Sequence, residues 1–125
     1  MNEVKGAILV VDDEPALIET VTRALTEEGY FAVGATDGAA ALDILAYVQV
    51  DLILLDMNMP GVNGWQVASE LQSRSVGTPI IVMTGSNKAQ QTAGEIGAAG
   101  FLEKPFNFDN LFVEVATHIH DLPPI

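Results

Sequence analysis

Five residues of types that bind metal ions or transfer charged groups stand where short apolar runs end. Asp12 and Asp13 follow AILVV, Asp56 ends DLILLD, Thr84 ends PIIVMT, and Lys104 follows AGFLE. A carboxylate can act as a metal ligand or a nucleophile, a hydroxyl can donate a hydrogen bond, and an ammonium group can neutralise an anion. These chemistries belong to one site only if the fold brings the five side chains together.

The apolar runs are predicted to be the strands of one parallel sheet. They are short, rich in Val, Ile and Leu, and mostly without polar alternation, which is typical of strands covered on both faces. They lie at 7–11, 31–36, 51–56, 79–84 and 99–103. Segments with helical spacing lie between them, so strand and helix alternate. This alternation predicts an α/β fold whose parallel sheet is sandwiched by helices through right-handed crossovers.

Local signals indicate where several of the helices begin and end. Pro15 suits a first helical position behind an acidic cap, and Gly29 suits a helix stop. Asp37 and Asn107 are predicted N-caps. The segment 87–97 is only weakly amphipathic and gives the least certain helix. The helical spacing of apolar residues is carried by Leu17, Val21, Ala24 and Leu25; Ala41, Leu42 and Leu45; Val67, Ala68 and Leu71; and Leu111, Val115 and Ile119.

The five polar residues all fall at the carboxyl ends of predicted strands, where open α/β sheets bind ligands. If the first and third strands are neighbours, Asp12, Asp13 and Asp56 converge. Two like charges about 4 Å apart repel by roughly 4 kcal/mol at an effective dielectric constant near 20, so ionised carboxylates there need a cation. Oxygen ligands without cysteine or a close histidine cluster favour Mg²⁺ over zinc.

Each residue also has a plain structural interpretation. Asp12 and Asp13 could cap the first helix, Thr84 could satisfy local backbone, and Lys104 could be an exposed lysine. Read singly, these interpretations are favoured about two to one. The joint placement of the residues at separate strand ends is what favours a common site.

Composition narrows the function. The chain has 125 residues, a length that predicts one domain, and it has no cysteine. Its net charge of −12 opposes direct binding to nucleic acid or anionic membranes. No apolar run approaches the length of a membrane span, and the amino terminus does not read as a signal peptide. We therefore expect a cytoplasmic protein.

Four segments, in their order and spacing, resemble the receiver domain of response regulators in two-component signalling. They are LVVDDEP (9–15), DLILLDMNMPGVNG (51–64), PIIVMTG (79–85) and GFLEKPF (100–106). The resemblance implies a flavodoxin-like (βα)5 fold, a doubly wound five-stranded parallel sheet with strand order 2-1-3-4-5. It implies a receiver domain over residues 1–121, with 122–125 as a tail or the start of a linker.

The same resemblance implies a role for each polar residue. Asp56 would be the phosphoacceptor, and Thr84 and Lys104 would bind the phosphoryl group. Asp12, Asp13, Asp56 and the Asn58 backbone carbonyl would hold Mg²⁺, for which Mn²⁺ could substitute.

Further positions are implied to control the signal rather than the chemistry. Thr84 and Phe101 would form the switch, although Phe101 could instead be permanently buried core. Lys104 would be joined to Pro105 by a cis peptide bond. Asn58 and Ser86 would tune the lifetime of the acyl phosphate, for which we expect a moderate value.

The sequence is thus interpreted as a signalling switch, not a metabolic enzyme, that catalyses only its own phosphorylation and dephosphorylation. A sensor histidine kinase or a histidine phosphotransfer protein would be the donor. Output would pass through the face made by the fourth helix, fifth strand and fifth helix, to an output domain or partner, and dimerisation on activation is left open. Two alternatives are a pseudo-receiver that only binds partners and an aspartyl-phosphate phosphatase; the latter lacks its general acid, since Asn58 stands there.

Overall fold

The structure, a computed structural model, describes residues 4–74, 76–85 and 88–119, in which strands and helices alternate. The strands are β1 (Ala7–Val11), β2 (Phe31–Ala35), β3 (Leu52–Asp56), β4 (Ile80–Thr84) and β5 (Gly100–Glu103). The helices are α1 (Pro15–Glu27), α2 (Gly38–Tyr47), α3 (Gly64–Ser73), α4 (Ala89–Ile96) and α5 (Phe108–His118). Each predicted strand is present to within one residue at either end. Helix α4 occupies the inner part of the weakly amphipathic segment.

The strands form one parallel sheet in the order β2-β1-β3-β4-β5. Val11 near the end of β1 pairs with Ala35 and with Leu55, and Asp56 at the end of β3 pairs with Met83. The carboxyl ends of β1, β3 and β4 are therefore adjacent at one edge. This arrangement confirms the doubly wound sheet and the strand order that the resemblance implied.

Helices cover both faces because successive strand residues point to opposite sides. One core lies between the sheet and α2, α3 and α4, and the other lies between the sheet and α1 and α5. All residues of the central strand β3 are buried. The first core includes Leu9, Val11, Ile53, Leu55, Val67 and Val82, and the second includes Ile8, Val10, Val21, Leu54, Ile81 and Leu111.

Strand β2 is less covered than its apolar sequence predicted. Phe31 is 50% exposed and Gly34 is also exposed, whereas strands β1 and β3 are almost wholly buried. The reason is position, since β2 pairs with β1 alone and forms an edge of the sheet. An apolar run identifies a strand but does not distinguish a central strand from an edge one.

Helix ends follow the predicted local signals, with one exception. Asp37 accepts a hydrogen bond from Ala40 N at 2.7 Å and Asn107 accepts one from Asn110 N at 2.7 Å, so both are N-caps. Pro15 is the first residue of α1, but the cap residue Glu14 makes no side-chain cap bond. Among the described residues, none of the helices has the length and apolar composition that crossing a bilayer requires.

The buried central strand supports a stability prediction. Leu54→Ala removes a side chain that is fully buried in the second core, and we expect it to lower the free energy of unfolding by about 2–5 kcal/mol because a cavity remains. Val113→Ala, at a position 64% exposed on α5, is the control and should change it by less than about 0.5 kcal/mol. Urea unfolding followed by circular dichroism measures both; equal effects would contradict this packing.

Candidate functional site

Three carboxylates meet at the carboxyl edge of the sheet. One carboxylate oxygen from each of Asp12, Asp13 and Asp56 lies within 4.8 Å of the others. Asp12 and Asp56 are buried, being 0% and 3% exposed, and Asp13 is exposed. The convergence predicted from the strand order is therefore present, with two members of the cluster inside the protein and one at its rim.

Lys104 provides the positive charge closest to this cluster. Its Nζ lies 2.5 Å from Asp12 Oδ2, 3.6 Å from Asp56 Oδ2 and 4.0 Å from Glu14 Oε1. The Lys104 side chain is 18% exposed. Its backbone N–H donates to Thr84 O at 2.8 Å, and the Lys104–Pro105 peptide bond is cis. In this arrangement the lysine balances part of the negative charge.

Backbone groups orient the two buried carboxylates. Glu14 N–H donates to Asp12 Oδ1 at 2.9 Å, and Asn58 N–H donates to Asp56 Oδ1 at 3.1 Å. In each case the donor lies two residues after the acid. Asp12 therefore does hydrogen-bond near the start of α1, but its other oxygen contacts Lys104, so capping does not account for its position.

Burial shifts the titration of the central carboxylate. It raises the pKa of Asp56 from 3.8 to about 6, against the lowering effects of the Asn58 backbone hydrogen bond and the Lys104 charge, and the charges of Asp12 and Asp13 raise it further. Burial lowers the pKa of Lys104, but its hydrogen bond to Asp12 and the Asp56 charge raise it more, so that pKa lies above 10.5. The lysine is thus a permanent cation, whereas Asp56 in this pocket resists ionisation.

Thr84 and Asn58 are in contact beside the carboxylates. Thr84 is 2% exposed at the end of β4, and Asn58 Nδ2 donates to its Oγ1 at 3.4 Å. Phe101 pairs with Val82 in the sheet and packs, partly buried, against the first core. Thr84 follows Val82 by two residues and so faces the same side of the sheet as Phe101. Ser86 lies outside the described residues.

Sequence reasoning assigned no role to two residues that shape this site. Glu14 completes the acidic surroundings of Lys104, and its place directly after Asp12 and Asp13 was the available signal. Gly64 allows α3 to approach the end of β3, since a Cβ there would lie 2.6 Å from Asp56 O. No periodicity or motif reports a contact of that kind.

The donor set fits a hard divalent cation. Its three protein groups are carboxylate oxygens at one edge of the sheet. Mg²⁺ prefers such oxygens and keeps several waters, so a site with one exposed member suits it. Within the described residues, these are the acids grouped closely enough to hold a metal ion.

Comparison with known proteins places this geometry in context. The chain is 36% identical over 110 residues to the transcriptional regulatory protein TcrA of Mycobacterium tuberculosis. The matched segment covers 86% of this chain and 44% of that protein. It therefore spans less than half the length of that relative.

Solved structures with similar folds include two of comparable size. Chemotaxis protein CheY4 of Vibrio cholerae is 31% identical with a TM-score of 0.82, covering 92% of this chain and 99% of that one. Response regulator TrrA of Thermotoga maritima, solved in complex with Mg²⁺-BeF, is 36% identical with a TM-score of 0.80, covering 89% and 96%. The family model described as the response regulator receiver domain matches residues 8–116. The chain belongs to the response regulator receiver domain family.

Proposed function

We propose that this receiver domain is a phosphorylation-activated switch in which Asp56 accepts a phosphoryl group in a Mg²⁺-dependent reaction. The observation that carries the proposal is the buried Asp56 carboxylate with Asp12, Asp13 and Lys104 around it. Burial keeps water away from the acceptor, and the neighbouring charges suit a group that is both anionic and metal-bound.

The metal requirement follows from the charge of the pocket. Asp12, Asp13 and Asp56 would hold the ion, with the Asn58 carbonyl as a further ligand. When bound there, Mg²⁺, or Mn²⁺ in its place, would supply positive charge to the acceptor carboxylate and to the phosphoryl oxygens. The relative TrrA was solved with Mg²⁺-BeF, and its 36% identity supports the same ligand class here. Ionised Asp56 is the competent nucleophile.

The transfer is an in-line displacement at phosphorus. One Asp56 carboxylate oxygen forms the new P–O bond, the bond from phosphorus to the donor breaks, and the donor leaves with that electron pair. Lys104, released from Asp12, then pairs with the phosphoryl oxygens, and the Thr84 hydroxyl donates to the same group. The product is an acyl phosphate that the domain itself hydrolyses at a rate that Asn58 and Ser86 tune.

Switching follows from the new partner of Thr84. The Thr84 hydroxyl accepts a hydrogen bond from Asn58 at 3.4 Å. When the Thr84 side chain moves toward the phosphoryl group, it leaves space on the side of the sheet where Phe101 lies. Phe101 is only partly buried and fills that space by turning inward. The face made by α4, β5 and α5 then changes, shifting a pre-existing equilibrium.

We propose a sensor histidine kinase or a histidine phosphotransfer protein as donor. A mostly apolar groove of about 490 Å³ adjoins Lys104 and is lined by residues such as Leu17, Val21, Phe106 and Phe108. A protein docked there would hold its phosphohistidine beside Asp56.

We also propose that the receiver domain spans residues 1–121 and that the protein is cytoplasmic. Its output would be carried by another domain or another chain. Direct nucleic-acid binding is disfavoured by the charge of −12.

Removing the buried charge should stabilise the metal-free protein. In Asp56→Asn the amide oxygen still accepts the Asn58 hydrogen bond, while repulsion from Asp12 and the cost of burying a charge disappear. At pH 7.5 in EDTA we expect the free energy of unfolding to rise by about 2 kcal/mol. Asp43→Asn, at an exposed position of α2, should leave it unchanged.

The pH dependence of that difference checks its cause. The pKa of Asp56 is about 6 in the folded protein, against its ordinary value of 3.8 in the unfolded chain. The folded state therefore binds this proton more tightly than the unfolded state does. Wild-type stability should therefore rise as the pH falls from about 7 to about 4, and the advantage of Asp56→Asn should shrink. Urea unfolding at several pH values measures this; a constant advantage would sink the explanation.

Phosphorylation itself is tested with acetyl phosphate. Wild-type protein and Asp43→Asn should each gain the mass of one phosphoryl group with Mg²⁺ and none in EDTA, whereas Asp56→Asn should gain none, because the nucleophile is gone. Intact-protein mass spectrometry provides the measurement. A wild type that is never labelled would favour the pseudo-receiver, and rapid turnover of small phosphate esters would favour the phosphatase.

Thr84 should couple phosphorylation to the conformational change. Thr84→Ala keeps the nucleophile and the carboxylates that would hold the metal ion, so labelling with acetyl phosphate should persist. The variant lacks the hydroxyl that would hydrogen-bond to the phosphoryl group, so labelling should no longer shift the conformation. Hydrogen exchange in α4 and β5 should then respond to beryllofluoride and Mg²⁺ in the wild type but only weakly in the variant. Thr78→Ala, whose hydroxyl contacts Val50 O far from the site, is the control. A full response in Thr84→Ala would exclude this coupling.

A further inference from the structure

The loop between β3 and α3, residues 57–63, carries Asn58 and therefore sets one side of the site. Hydrogen bonds secure its ends: Met57 N–H donates to Met83 O at 3.3 Å, and Asn63 and Gln66 exchange the two bonds of a capping box at 3.0 and 2.8 Å. Between them the backbone turns at Gly61, whose φ of +73° favours glycine. The loop is thus held at both ends and bends in the middle.

A third support comes from α2. A Cβ built on Gly38, the first residue of α2, would lie 2.2 Å from Val62 O and 2.7 Å from Val62 Cγ1. The backbone of α2 and that of the loop therefore touch at a distance that only glycine permits. Helix α2 is itself anchored, by the Asp37 cap and by Ala41, which is 0% exposed.

Backbone conformation does not explain this glycine. The φ of Gly38 lies outside the left-handed region, so an L residue could adopt it. Alanine would favour a helix over glycine by about 1 kcal/mol in a helix interior. What alanine cannot do at position 38 is leave room for the Val62 carbonyl. The close approach is the remaining physical reason for glycine here.

We propose that Gly38 is a positioning residue: the amino end of α2 is a stop against which the β3–α3 loop rests, and this contact holds the Asn58 carbonyl where the metal ion needs it. The inference rests on the proposed Mg²⁺-dependent function. In Gly38→Ala the added Cβ would lie 2.2 Å from Val62 O, and restoring an ordinary separation would displace the loop from α2 by about 1 Å. Such a displacement is large for a magnesium ligand, because Mg²⁺ demands near-ideal octahedral geometry.

The test compares glycine variants in the full chain. Gly38→Ala should weaken Mg²⁺ binding on the order of tenfold, the usual effect of losing a group that orients a ligand. Gly34→Ala places a Cβ at the same distance, 2.2 Å, from Ile18 Cγ2 on α1, away from the loop and against a side chain rather than backbone. Gly94→Ala meets nothing within 4 Å. Both controls should bind Mg²⁺ within about twofold of wild type, a change well under 1 kcal/mol.

Binding is read from Trp65, the only tryptophan, which follows Gly64 and is 40% exposed, and is confirmed by calorimetry. Urea unfolding in EDTA reports stability separately. Val62→Ala is the second variant, needed if Gly38→Ala does not fold; by removing side-chain support for the loop it should weaken binding several-fold without adding a clash. Unchanged Mg²⁺ affinity in the folded variants, or an equal loss in Gly34→Ala, overturns the inference. A wild type that does not bind Mg²⁺ at all refutes the proposed function instead.

Discussion

Three carboxylates repel one another at one edge of the sheet, and the groups around them must offset that repulsion. Asp12 and Asp56 are buried with Asp13 at the rim, and such a group is tolerable only beside compensating charge and hydrogen bonds. Lys104 supplies part of that charge, with its Nζ 2.5 Å from Asp12 Oδ2. In the proposed reaction this lysine would be released from the acids when a cation binds there, so that one residue would serve first as counterion and then as ligand for the phosphoryl group.

The fold supports this cluster through short backbone contacts. Parallel pairing of β1 with β3 brings the acids together, and hydrogen bonds from Glu14 and Asn58 fix the orientation of two carboxylates. Gly38 lets α2 approach the β3–α3 loop, and Gly64 lets α3 approach the end of β3, at distances that a side chain would forbid. The site is therefore built on main-chain geometry, which packing of the buried strands makes rigid.

The predictable part of this molecule is the part that short-range pattern records. Unbroken apolar runs identified the strands, and Asp37 was recognisable as a cap because the capping interaction is local. Pattern alone left the neighbour of β1 undetermined; the order came from the resemblance. No local sequence pattern predicts the exposure of Phe31 or the close approach of Gly38 to Val62. Both depend on which elements the fold places side by side. The ion pair between Lys104 and Asp12 could likewise not be predicted from the sequence.

Charge balance also explains how phosphorylation of one side chain would operate the proposed switch. In the proposed reaction ionised Asp56, with one negative charge, would become an acyl phosphate with about two, so the pocket would gain only about one negative charge while its contacts are redistributed. Converting a mostly inactive population to a mostly active one takes about 5.5 kcal/mol of differential stabilisation. Hydrogen bonds to charged groups contribute about 1.5–3 kcal/mol each. At that strength two to four contacts made only in the active arrangement would be sufficient, and in the proposed mechanism the Lys104 ammonium and the Thr84 hydroxyl would make two of them.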